Sequence, residues 1–121
     1  MDGYTREEFE EALQIVSSII NRCEKMLPKF VEGTSQHTLL KNRIKAMYIS
    51  KSLITDENTI NKYAKEELME ALRLVSSIIS KCEKAQQKFA VETFHYTRFK
   101  NMIKAMHISK SLITDEISKR G

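Results

Sequence analysis

The chain has 121 residues and a mass of 14.1 kDa, the size of one domain, and its 3 Gly, 1 Pro and absence of Trp argue against a turn-rich all-β fold. Apolar residues make up 41% and charged residues 30%, too apolar for a disordered chain. The net charge of +4 comes from 20 cations interleaved with 16 anions, which permits nucleic-acid binding without arguing for it.

The first element opens at Thr5, which with Glu8 makes a capping box. Phe9, Leu13, Val16, Ile20, Cys23, Leu27 and Phe30 then follow at alternating steps of four and three, the seam of a helix packed in a bundle. Ala12, Ile15, Ile19 and Met26 widen that seam on one flank. Pro28 kinks the helix or loosens its last turn, and the stretch from Val31 to Ser35 supplies a C-terminal Gly and a fresh N-cap. The second helix carries Leu40, Ile44, Met47 and Ile54 on one stripe. After a linker over 58–64, a third helix carries Leu68, Leu72, Val75, Ile79, Cys82, Gln86 and Phe89, and a fourth carries Phe99, Ile103, Met106 and Ile113.

The second pair of helices repeats the first at a shift of 59 residues. EEALQIVSSIINRCEK, from Glu10, returns as MEALRLVSSIISKCEK, from Met69, and IKAMYISKSLITDE, from Ile44, returns as IKAMHISKSLITDE, from Ile103. Of the 52 aligned pairs, 32 are identical. The expected architecture is therefore all-α: an antiparallel four-helix bundle of two tandem, pseudo-two-fold-related hairpins, one over 5–57 and one over 65–117, forming a single domain over 1–121 and resembling a fused dimer. A seven-residue linker spans at most about 23 Å, less than the length of a helix, so both hairpin loops belong at one end. The alternative is an unbroken second helix running through TDENTINKYAKEEL, which would give a domain-swapped dimer.

The differences between the copies concentrate in one region. Between Met26 and Arg43 only 6 of 18 aligned pairs are identical, against 26 of 34 elsewhere. Near-identity with divergence confined to one end is what a natural duplication or a deliberately redesigned fused dimer would leave. Large apolar groups stand in one copy opposite small ones in the other, which points to an asymmetric pocket at the loop end. Its expected lining is Met26, Leu27, Phe30, Val31, Gln86, Phe89, His95, Tyr96, Phe99 and Met102, with the Gln86 amide as a polar handle. The expected function is a monomeric binding module for a small apolar or aromatic molecule. One alternative makes the pocket catalytic, with His95 or His107 as general base and Tyr96 as hydrogen-bond donor in a proton transfer or acyl hydrolysis. A second alternative is a basic interaction protein working through Lys41, Lys45, Lys51, Lys100, Lys104 and Lys110.

No cofactor is expected, because no Gly-rich loop occurs. No metal site is expected either. Glu92 and His95 have the spacing of a di-iron ligand pair, but copy one has Gly33 and Gln36 there. Cys23 and Cys82 occupy equivalent seam positions and read as small core hydrophobes. Nucleic acid is not an expected partner, since the lysine stripe lacks interleaved aromatics. Nor is a membrane, since the longest apolar run, Leu13 to Ile20, is short and interrupted by Gln14, Ser17 and Ser18. The acidic start MDGYTREEFEE is unlike a signal peptide, and two cysteines suit a reducing compartment, so the expected location is the cytoplasm.

Overall fold

A computed structural model of the chain describes residues 3–56 and 61–121. Among these, four α-helices and no strands are present, and 82% of the described chain is helical. The helices are α1 (Arg6–Met26), α2 (Ser35–Ile54), α3 (Lys65–Gln86) and α4 (Phe94–Lys119), with a 3-10 turn at Leu27–Lys29. α1 packs on α2, α3 on α4, α2 on α3, and α4 on both α1 and α2. No Cα of α1 lies within 8 Å of one in α3. This is a helical bundle in which α1 and α3 stand apart and the other pairs share the core.

The seam residues of the repeat are the core. Val16, Val75, Met47 and Met106 are fully buried, as are Ile49 and Ile108, and Ala12, Ala46, Ala71 and Ala105 let the backbones approach closely. Each of these has its repeat mate buried with it. Full burial of side chains of this size stabilises by about 1.5–3 kcal/mol each. Ile54 and Ile113 break the pattern: Ile113 is fully buried, whereas Ile54, its mate, is half-buried at the last residue of α2.

α1 begins as the sequence indicates. The Thr5 hydroxyl accepts from the Glu8 amide at 3.1 Å, and the Glu8 carboxylate accepts from the Thr5 amide at 2.8 Å. In α3 the N-cap is Ala64, so only the second half of the box survives: Glu67 accepts from the Ala64 amide at 2.7 Å. Ala64 has the same extended backbone as Thr5, and the Glu67 amide, which there bonds the Ala64 carbonyl at 3.0 Å, would gain a hydroxyl acceptor of the kind Thr5 gives Glu8. Ala64→Thr is therefore expected to raise stability by about 0.5–2 kcal/mol, read as a higher melting temperature with unchanged helix content.

Two local expectations are corrected. α1 ends at Met26 and tightens into the 3-10 turn containing Pro28, which has no N–H to continue the ladder. Gly33, at φ +94°, is thus not the cap of α1 but the residue before Thr34, whose hydroxyl caps α2 by accepting from the His37 amide at 3.3 Å. The second correction concerns the unbroken-helix alternative. α2 stops at Ile54; Thr55 caps it and Asp56 turns left-handed at φ +56°. The expected linker over 58–64 is described only from Asn61 onward, and 57–60 lie outside the described residues.

Ion pairs join the two copies reciprocally. Lys45 of α2 pairs with Glu67 of α3, and Lys104 of α4 pairs with Glu8 of α1 at 2.8 Å. Lys45 and Lys104 are repeat mates, as are Glu8 and Glu67. In each pair the lysine hydrogen bond holds the carboxyl below its ordinary pKa, helped by the amide of the helix cap.

Candidate functional site

The loop end is assembled by the first turns of α2 and the last turns of α1 and α3. Arg43, in α2, lies close enough for its charge to act on both Cys23, near the end of α1, and Cys82, near the end of α3. Arg22, near the end of α1, and Arg98, near the start of α4, line one groove, so the segments 27–34 and 87–93 leave the bundle at the same end, within the stretch over which the copies diverge.

Copy two supplies a connected set of rings. Phe89, beyond the end of α3, stacks on Phe99 of α4 with centroids 6.0 Å apart and planes at 22°. It also meets His95 at 4.8 Å, and His95 meets Phe94 edge-on at 5.9 Å. The Gln86 amide reaches the Tyr96 carbonyl at 3.5 Å, and the Cys82 thiol lies 3.3 Å from the Met102 sulfur. Copy one contributes Leu27 and Phe30, both half-buried against the core. Of the ten expected lining residues, Leu27, Phe30, Gln86, Phe89, Tyr96, Phe99 and Met102 are half-buried, whereas Met26, Val31 and His95 are exposed. The physical reason lies in the ends of the helices. α1 closes at Met26, so the seam spacing no longer applies beyond it, and Val31 follows an extended residue, Phe30.

Two of the grooves described on the surface lie along the flanks, and a third reaches toward this end. One of about 260 Å³ runs between α1 and α4 beside Glu8, Ala12 and Lys104, and its counterpart of about 190 Å³ runs between α2 and α3 beside Glu67, Ala71 and Lys45. A third, of about 200 Å³, is lined by Ile15, Ser18, Arg22, Arg98, Asn101 and Met102. Only Met102 belongs to the expected lining. In the loop-end cluster Phe89, Tyr96 and Phe99 are half-buried, and Phe94 and His95 stand in solvent at its edge.

That surface is strongly apolar where it is most exposed. Of seven large hydrophobic residues exposed among the described ones, five lie in these segments or next to them: Met26, Val31, Leu39, Val91 and Phe94. Val31, Val91 and Phe94 keep 74%, 69% and 73% of their surface in contact with solvent. Leu39 and Val91 escaped the sequence reading. Val91 aligns with Glu32 and Leu39 with Arg98, and this exchange of charge for hydrocarbon between repeats was the available signal.

Of the two candidate bases, His95 is next to Tyr96 in the first turn of α4 and His107 lies far along the same helix. His95 and His107 are both exposed, and twelve residues of α4 separate them, about 18 Å along the helix. Tyr48, the repeat mate of His107, donates to the Glu24 carboxylate at 2.8 Å, and that bond raises its pKa. Among the described residues no three His, Cys, Asp or Glu side chains gather as a metal site requires. Lys45 and Lys104 are engaged with Glu67 and Glu8 rather than forming an open stripe.

Arg43 is the residue the sequence reading missed altogether. Its Nε is buried with no hydrogen-bond partner among the described residues, at a position where copy two carries Met102. Burial pushes both Cys23 and Cys82 thiols above their ordinary pKa, and the nearby guanidinium opposes that shift. Both cysteines are free, and with α1 and α3 nowhere within 8 Å at Cα they are too far apart for a disulfide, which needs about 4.4–6.8 Å.

No protein-family model, curated protein or solved structure matches the chain. No helix among the described residues is long and apolar enough to cross a membrane.

Proposed function

We propose that the chain is an antiparallel, pseudo-two-fold bundle acting as a binding module, and that its loop end receives an apolar or aromatic group. The observation that carries this reading is the concentration of exposed hydrocarbon, Val31, Val91, Phe94, Met26 and Leu39, beside the Phe89–Phe99 stack in the region where the two copies diverge. The two-fold arrangement is supported by the exchange of partners between Lys45–Glu67 and Lys104–Glu8, the signature of a self-complementary interface. In this division of labour the conserved-by-repeat half holds the helices together, and the diverged half binds.

Phe89, His95 and Phe99 offer a flat edge on which an aromatic group stacks, and the half-exposed Gln86 amide and Tyr96 hydroxyl orient a polar substituent. The protein is expected to be monomeric, since its two-fold partner is already fused. The test is a titration of the ¹⁵N-labelled chain with indole and with naphthol, followed by amide chemical shifts. Saturable shifts confined to 27–34 and 86–102, lost at least tenfold in affinity in Phe89→Ser, are the expected result. Shifts spread along the flank grooves, or no saturable shift with either compound, would overturn the reading.

A further inference from the structure

The charge of the molecule is divided between its two ends. Residues 22–43 and 81–102, the loop-end portions of the two copies, hold ten Lys and Arg against four Glu. The rest of the chain holds ten against twelve acidic residues. The ion pairs among the described residues sharpen the division. Arg6–Glu10, Lys45–Glu67, Glu70–Arg73, Glu8–Lys104 and Glu116–Arg120 all fall outside the loop-end portions, with Lys45 and Lys104 just beyond their edges. None of the ten loop-end cations is in an ion pair within the described residues. The positive field of this end is left for something outside the chain.

The same end carries Val31, Val91 and Phe94 on its loops and first helical turn, close to fully exposed. They keep about seven-tenths of their surface in solvent and line none of the described grooves. A partner protein helix needs a concave apolar groove to lie in. Hydrocarbon projecting from loops, surrounded by unpaired cations, instead complements a surface that yields around it and carries negative charge. A bilayer containing anionic lipid has both properties.

We propose that the loop end is a docking surface for an anionic membrane, with Val31, Val91 and Phe94 entering the headgroup boundary and the surrounding lysines and arginines meeting lipid phosphates and carboxylates. The absence of a spanning segment does not bear on this mode, because peripheral attachment needs only shallow apolar burial and basic charge. The proposal rests on the loop end being the binding region, and it names the class of partner. Each cation held near an anionic surface contributes about fivefold in partitioning, and the effect decays within a Debye length, so binding must fall steeply with salt.

The test is co-sedimentation of the full chain with vesicles of pure phosphatidylcholine and with vesicles containing 30% phosphatidylserine. The expected result is at least tenfold stronger binding to the anionic vesicles, weakening as salt rises. Val31→Ser/Val91→Ser/Phe94→Ser keeps every charge and removes only exposed groups, so the fold is retained, as circular dichroism would verify; it is expected to lose at least tenfold on anionic vesicles. Lys29→Gln/Lys88→Gln, in the two loops, should lose a comparable factor while keeping the indole shifts. Equal binding to both vesicle types, or anionic binding insensitive to the triple serine variant, would overturn the membrane assignment. Indole binding without vesicle binding overturns the membrane alone; loss of both overturns the binding region itself. Vesicle-independent capture by an acidic helical peptide at higher affinity would also overturn it in favour of a protein partner.

Discussion

Met47→Ala and Met106→Ala are each expected to lower the free energy of unfolding by about 2–5 kcal/mol. Both thioethers are fully buried, at equivalent points of α2 and α4, the two helices that meet across the middle of the bundle. A domain of this size has only about 5–15 kcal/mol in total, so the double variant should be largely unfolded at room temperature. Urea denaturation of the single variants measures the two costs. Because the residues are repeat mates in equivalent surroundings, the costs should agree within about 1 kcal/mol, the scatter expected from differences in how each cavity collapses. A large disparity would mean that the two halves of the core are built differently.

Arg43→Met is expected to act in the opposite direction. Its Nε is buried without an acceptor, and Met is the residue copy two already carries at this point, beside Cys82. Removing an unsatisfied buried donor recovers about 1–3 kcal/mol, and the methionine fills the path of the guanidinium stem. The substitution also removes the cation that opposes the upward shift of both thiols. Cys23 and Cys82 should therefore titrate at higher pH in the variant. At a fixed pH near 8 less thiolate is present, and alkylation by iodoacetamide should slow at both positions. A stability gain with unchanged alkylation would separate the packing effect from the electrostatic one.

Much of the fold was legible because helical burial is periodic. Val16, Ile20 and Cys23, with their mates Val75, Ile79 and Cys82, follow the spacing of a buried stripe, and they are buried. The loop-end residues were harder to read for a physical reason. Leu27 and Phe30 continue the same spacing, but α1 has already ended, and beyond a helix end spacing no longer fixes direction. Met26 and Val31 were placed in the lining by their size against Ala85 and Ala90 in the other copy, and size alone does not fix direction: both face solvent. Arg43 was illegible for a different reason: long cations are usually solvated, and only its alignment with Met102 marks a position that points inward.

The nine residues from Ile49 to Glu57 are identical to those from Ile108 to Glu116. In α4 all nine are helical, whereas α2 halts at Ile54 and the backbone reverses sign at Asp56. The halt is thus not written in the segment itself. It is imposed by where the chain must go next, toward α3 and the Lys45–Glu67 pairing, while in α4 the helix runs on until Arg120 ties its end to the Tyr63 carbonyl. The last turn of α2 accordingly reports on the docking of the halves. If α3 and α4 were to come away, nothing within the shared nine residues would keep Asp56 from adopting the conformation its twin already has. The Thr55 amide already bonds the Lys51 carbonyl at 3.0 Å, as in a continued helix, so the change falls on Asp56, whose amide now bonds the Leu53 carbonyl at 3.2 Å and would pass to the Ser52 carbonyl one turn back. That single proton is a built-in gauge of whether the molecule is one body or two.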